Sequence, residues 1–107
     1  MNSINITGRI ASDIETRETK TGKEVSTFAL AVKGSEKDSV YYFNCIAWEK
    51  NSSFLRSYFS KGKPIEVSGR LTQRAYQDKD GRNCKVIEIV CDTLGFTLTN
   101  KGINNEN

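Results

Sequence analysis

Two arginines and a tyrosine stand at alternate positions in the stretch Lys63–Tyr76, Lys-Pro-Ile-Glu-Val-Ser-Gly-Arg-Leu-Thr-Gln-Arg-Ala-Tyr. Side chains alternate along a strand, so Ser68, Arg70, Thr72, Arg74 and Tyr76 share one face and Ile65, Val67, Gly69 and Leu71 the other. The odd face suits a core. The even face offers guanidinium groups for phosphates and a flat ring for a base, which is what a single nucleic-acid strand requires of its binder. Taken alone, the stretch also reads as a solvated amphipathic strand. The elements around it bear on that choice.

Ile4, Ile6 and Ile10 alternate with polar residues around Gly8, which predicts a first strand with a bend or bulge at the glycine. Thr16-Arg17-Glu18-Thr19 and the turn Lys20-Thr21-Gly22-Lys23 lead into a second strand, Val25–Val32, with Phe28, Leu30 and Val32 on one face. A third strand, Val40–Trp48, is apolar on both faces: Tyr41, Phe43, Cys45 and Ala47 on one, Tyr42, Asn44, Ile46 and Trp48 on the other. Such a strand is either central or has a second face that binds something. Asn51–Ser60 is helical, capped by Asn51 or Ser52 and stopped by Gly62 and Pro64, with Phe54, Leu55, Tyr58 and Phe59 as its apolar stripe. The long fourth strand comes next. Asp78-Lys79-Asp80-Gly81 makes a hairpin turn into a fifth strand, Asn83–Cys91, which Leu94, Phe96 and Leu98 extend or close. This order is all-β: a five-stranded OB-fold Greek-key barrel with one short helix between strands 3 and 4, plugged by Phe54, Leu55 and Tyr58. The domain runs over residues 1–99, and residues 100–107 form a short polar tail expected to be disordered.

At 107 residues the chain is one domain. Its hydrophobic fraction of 36% is low for that size, which leaves apolar surface for a partner subunit to complete. A net charge of +3 permits nucleic acid without demanding it, so the placement of the charges matters more than their sum. Cys45, Cys84 and Cys91 have no CxxC spacing and sit in apolar strands; they read as small buried hydrophobes in a reducing cytosol. Scattered thiols and the absence of histidine offer no zinc site, and no cofactor is implied. No serine or cysteine has an evident base, and Asp78 and Asp80 belong to a turn, so the chain does not read as an enzyme. The opening Met-Asn-Ser-Ile-Asn-Ile lacks the pattern of a secretory signal, and no apolar run reaches membrane-spanning length.

The motifs Gly8-Arg9-Ile10, Asp13–Arg17, Thr19–Lys23, Val25–Val32, Tyr42–Trp48, Tyr58–Gly62 and Val67–Tyr76, in this order and spacing, resemble those of the homotetrameric bacterial and phage single-stranded DNA-binding proteins. The resemblance covers residues 1 to about 98. It implies bases stacked on Tyr42, Trp48 and Tyr76, and phosphates held by Arg70, Arg74, Lys85 and Lys33, with Arg9 as a weaker candidate. It also implies non-catalytic, sequence-independent protection of single-stranded DNA in replication, recombination or repair, in the cytoplasm of a bacterial cell at the nucleoid, with a phage or mobile element as another source. Self-association through the strand edge Asn2–Ile6 is expected, to a homotetramer first and a dimer second. Two positions depart from the pattern: Ile14 stands where proline is frequent, and Gly34 follows Lys33 where arginine is frequent. The flexible linker and acidic, phenylalanine-ended tip common in the family are not seen in these residues, so recruitment of replication enzymes through such a tip is not expected.

Other readings stay open at this point. Trp48 suits core and surface equally, and Tyr41 is undecided. Phe43, Phe54 and Phe59 suit core or plug, and Phe28 and Phe96 suit the core. Arg17, Lys20 and Arg56 read as solvated charges. RNA is an admissible ligand because stacking does not read the 2′-hydroxyl. A tail-less OB-fold adaptor, like the primosomal replication-restart protein, would share the fold and act through protein contacts. A sugar-binding OB domain would share the rings but has no use for the arginines.

Overall fold

Backbone pairing, more than hydrophobic alternation, sets the strand count. In the computed structural model, which describes residues 1–97, the strands are β1 (Ile4–Ile10), β2 (Glu15–Glu18), β3 (Glu24–Lys33), β4 (Val40–Trp48), β5 (Pro64–Gln77) and β6 (Asn83–Gly95). One helix, α1 (Lys50–Tyr58), lies between β4 and β5. Leu98 and the expected tail over 100–107 lie outside the described residues. The sheet order is β1-β5-β6-β4-β3-β2, and a further pairing of β1 with β3 closes the first five strands into a ring. All pairings are antiparallel except β4 with β6, which α1 and β5 separate in sequence.

Gly8 lies where β1 leaves β5 and joins β3. It pairs with Ile65, and the next residues, Arg9 and Ile10, pair with Ala31 and Leu30. A Cβ at position 8 would run into the Ala31 carbonyl, so the crossing requires glycine. Inside the ring, Ile10, Phe28, Leu30, Cys45, Ala47, Ile65, Val67, Ile89, Cys91 and Leu94 form one core with Leu55 and Phe59 of α1. There the neighbouring Cys91 thiol and burial push the Cys45 thiol up, which keeps it protonated. Cys84 is only half-buried, not a core residue.

Several expectations are corrected. β2 is a sixth strand in a stretch taken for a plain connection; Glu-Thr-Arg-Glu is exposed throughout and carries no apolar alternation to betray it. Neither Asn51 nor Ser52 caps α1. The cap position is Glu49, at φ 52°, with no side-chain bond. Asn51 Nδ2 instead donates to the Cys91 and Asp92 carbonyls at 3.0 and 3.1 Å. Ser52 is buried in a hydroxyl chain. Its Oγ donates to Glu24 Oε2 at 2.7 Å, so Ser26 must donate to Ser52 at 2.6 Å and Thr16 to Ser26 at 2.7 Å. Arg56 closes the chain with two bonds to Glu24 and is more than a solvated charge. Tyr58 is exposed rather than part of the plug, and Phe96, expected in the core, is 55% exposed beyond the end of β6. Phe96 packs edge-on against Phe54 and Tyr58 at the surface, Tyr58 lies tilted against Phe54, and Phe96 also stacks on Phe59. Among the described residues no helix is long and apolar enough to cross a membrane.

Candidate nucleic-acid interface

Residues paired across neighbouring strands point to the same side of a sheet. On the outer side this rule links Thr27, Ile46, Val90 and Arg70 into one row across β3, β4, β6 and β5, and Ala29, Asn44, Glu88 and Thr72 into the next. The same parity puts Ala31 beside Tyr42, Val86 beside Arg74, Cys84 beside Tyr76, Lys33 beside Val40 and Arg9 beside Ala31. Trp48 pairs with Val25 at the end of β4. One surface therefore carries Tyr42, Trp48, Tyr76, Arg70, Arg74, Lys33 and Arg9.

The three rings are available. Tyr42 is 67%, Tyr76 46% and Trp48 37% exposed, which places Trp48 at the surface. Small side chains at Ala29 and Ala31 keep the floor low between them. Arg74 lies over the Tyr76 ring, 6.0 Å from guanidinium carbon to centroid, a cation–π distance. Tyr41 points to the other side of β4, where its hydroxyl meets Ser35 Oγ at 3.0 Å; bonds from Ser35 lower its pKa.

One expected site residue falls elsewhere. Lys85 pairs with Ala75, so it faces the side opposite Arg74 and Tyr76. Leu71, assigned to the buried face, has the predicted parity but is 43% exposed, because that end of the hairpin projects past the ring and no described residue covers its underside. Ile87 is exposed for the same reason.

Sequence reasoning missed the carboxylates of this face. Arg74 makes a bidentate pair with Glu88, at 3.3 and 3.0 Å, which raises the arginine's pKa. The Glu88 side chain is only 12% exposed. Arg70 Nη1 donates to Asp92 at 2.6 Å, with both side chains half-exposed. Asp92 is the extra residue of a bulge: Gly69 pairs with Cys91, but Ser68 pairs with Thr93. A groove of about 720 Å³ runs beside the Arg74–Glu88 pair under the segment Ala11–Arg17. It is lined by Arg17, Lys61 and Arg74 and by Asp13, Glu15 and Glu88, so its charges balance. The hairpin register could have exposed Glu88, since counting outward from Asp78–Gly81 sets it against Thr72. The bulge that delivers Asp92 leaves no such mark.

Residues 1–97 match the sequence model of the Single-strand binding protein family. The chain is 35% identical over 106 residues to a protein named single-stranded DNA-binding protein from Malacoplasma penetrans (strain HF-2), covering 98% of this chain and 56% of that one. Single-stranded DNA-binding protein 1 of Staphylococcus aureus (strain COL) is 34% identical over 101 residues, 90% of this chain and 60% of its own. Single-stranded DNA-binding protein B of Bacillus subtilis (strain 168) is 34% identical over 100 residues, 89% and 88% of the two chains. The chain thus spans less than two thirds of the first two relatives.

Proposed function

Because this chain belongs to the Single-strand binding protein family, whose fold is the OB-fold, we propose that it binds and protects single-stranded DNA without catalysis and without reading sequence. The observation that carries the reading is the outer face on which Tyr42, Trp48 and Tyr76 stand exposed among cations. Each ring offers a π-surface that accepts any base. Stacking contributes about 1–3 kcal/mol per base, a range drawn from alanine substitution in single-strand binders of this kind. Arg70 and Arg74 reach phosphates by exchanging Asp92 and Glu88 for them, while Lys33 and Arg9 have no ion-pair partner among the described residues. Lys85 serves only a strand that wraps to the hairpin's far side. Replication, recombination and repair in the bacterial cytoplasm are the processes that expose such strands.

Self-association belongs to the same proposal. β1 pairs with β5 along one edge but with β3 only at Arg9 and Ile10, so on its other edge Ile4–Gly8 have no strand neighbour among the described residues. An open edge pairs readily with a second copy. Tetramer is the first assignment and dimer the second.

The test uses Trp48, the one tryptophan of the chain, as its reporter. Titration with oligo-dT should quench its fluorescence, and a duplex of equal length should bind far more weakly. Y42A and Y76A should each weaken oligo-dT binding roughly 5- to 150-fold, the equivalent of about 1–3 kcal/mol, with little change in melting temperature because both rings are exposed. Equal affinity for duplex and single strand would overturn the reading. An equal-length RNA in the same assay decides whether RNA is a ligand as well.

The adaptor reading has its own observation: the exposed rings of Tyr58 and Phe96 form a patch with Phe54 and Phe59. Capture of a replication protein through Tyr58 and Phe96, with no quenching by oligo-dT, would favour it.

A further inference from the structure

A second groove, about 440 Å³, lies between β1, the end of β3 and the loop 34–39. Arg9 and Lys33 both line it, with Thr7 and Ser39 as hydroxyl neighbours, Val40 and Pro64 as apolar wall, and Asp38 as its one carboxylate. Arg9 is held in place by a bond from Nη1 to the Gly62 carbonyl at 3.1 Å, which leaves the rest of its guanidinium fork unused. Neither cation is ion-paired among the described residues. The groove adjoins the aromatic face directly, because Ala31 lines it and pairs with Tyr42, and Lys33 stands two residues farther along β3, about 7 Å away.

We propose that this groove is a separate subsite for the sugar-phosphate backbone of the nucleotides that leave the face past Tyr42, and that its two cations contribute more to the salt dependence of binding than Arg70 and Arg74 do. The argument is electrostatic, and it rests on the single-strand reading above. A phosphate that reaches Arg74 or Arg70 displaces a carboxylate already seated there. The freed Glu88 or Asp92 then recruits a cation of its own, which offsets the counterion released from the DNA. At Arg9 and Lys33 no carboxylate has to be displaced, so each phosphate bound releases its counterion without that offset. Arg70 and Arg74 thereby contribute mainly orientation, and the groove adds charge attraction that no seated carboxylate offsets.

The double variant R9Q/K33Q tests this by titration with an oligo-dT long enough to pass beyond Tyr42, with Trp48 fluorescence and anisotropy read across a salt series. Binding to single strands weakens with a log–log slope of about −0.7 per phosphate neutralised, so the slope should fall in magnitude by about 1.4. The unmodified protein should then lose about sevenfold more affinity than the variant between roughly 50 and 200 mM salt. Quenching of Trp48 at saturation should stay unchanged, because the aromatic face still fills. K33Q alone, which leaves the Arg9–Gly62 bond intact, should lower the slope by about half as much. A slope unchanged in the double variant, or loss of the saturating quench, would overturn the inference; the second result would mean that both cations act on the aromatic face itself. Failure of the unmodified protein to bind the oligonucleotide would overturn the single-strand reading instead, so the two failures are distinct.

Discussion

Glu24 shows how one residue joins parts of the fold that sequence alone keeps apart. It opens β3, yet its carboxylate accepts two bonds from Arg56 and one from Ser52 of α1, and through Ser52 and Ser26 the chain of hydroxyls reaches Thr16 on β2. The bonds from Arg56 and then Ser52 hold its pKa at about 2, against an ordinary 4.5. A carboxylate depressed by folding stabilises the folded state fully above its unfolded value and loses that contribution as pH falls toward its folded value. E24Q should therefore melt at a lower temperature than the unmodified protein at pH 7. The gap should narrow as pH drops from about 4.5 toward 2, once the unmodified carboxylate also protonates. Thermal melts of both proteins across that range check the sign; a gap that is constant with pH would mean that the charge of Glu24 is immaterial. The arginines of the outer face show the same residue-scale logic in a different setting. Arg70 and Asp92 are half-exposed and their pair contributes little to stability, at most about 1 kcal/mol, so exchanging that carboxylate for a phosphate is inexpensive.

At the scale of elements, the β5–β6 hairpin is the largest lever on the site, because it carries Arg70, Arg74 and Tyr76 together with both carboxylates. Its register turns on Gly69. A Cβ there would overlap the Val90 carbonyl and press on Cys91, at the position where β6 bulges. G69A should destabilise the fold by about 1–3 kcal/mol, the usual cost of forcing extra atoms into a closed space. It should also weaken oligo-dT binding by shifting Arg70 relative to Asp92; an unchanged melting curve would show that the bulge absorbs the methyl group. How much of this was legible follows from what each element owes to side-chain periodicity. β1, β3 and the buried half of β5 alternate clearly, and the shared parity of Arg70, Arg74 and Tyr76 followed from spacing; β4 is apolar on both faces, and only its pairing with β3 and β6 sets Tyr42 on the same side. β2 owes its existence to backbone pairing with β3 at Glu15–Glu18, which leaves no trace in residue type. Leu71 misled because parity reports which side a residue faces and says nothing of whether anything covers that side. Phe96 misled for a related reason: an aromatic residue near the end of a strand continues the pattern after the strand has stopped. Lys85 was grouped with Arg74 by proximity across the hairpin, whereas pairing with Ala75 turns it away.

At the scale of the whole molecule, the decisive feature is the open edge of β1. Asn2 strengthens the line of that edge, since its side chain accepts from the Leu71 N–H at 2.9 Å and donates to the Leu71 carbonyl at 2.8 Å, continuing the course of β1 along β5. The opposite edge, over Ile4–Gly8, has no strand neighbour among the described residues, and in the proposed assembly a second copy pairs with it. A second copy can satisfy it by antiparallel pairing about a two-fold axis, and such an arrangement brings each central side chain near its own counterpart. Asn5 lies near the middle of this edge, exposed, and its Oδ1 accepts from Ser68 Oγ at 2.6 Å. N5K places two ammonium groups beside each other across that axis, and like charges set opposite one another in a sheet destabilise the pairing. Light scattering should find the unmodified protein at a multiple of its 12.0 kDa chain, four-fold by the first assignment, and N5K at a smaller multiple with an unchanged circular dichroism spectrum. Lower mass should also weaken binding to long oligonucleotides more than to short ones, because fewer linked faces then act on one strand and the gain from effective concentration is lost. A monomeric unmodified protein, or an N5K variant of undiminished mass, would remove β1 as the assembly edge.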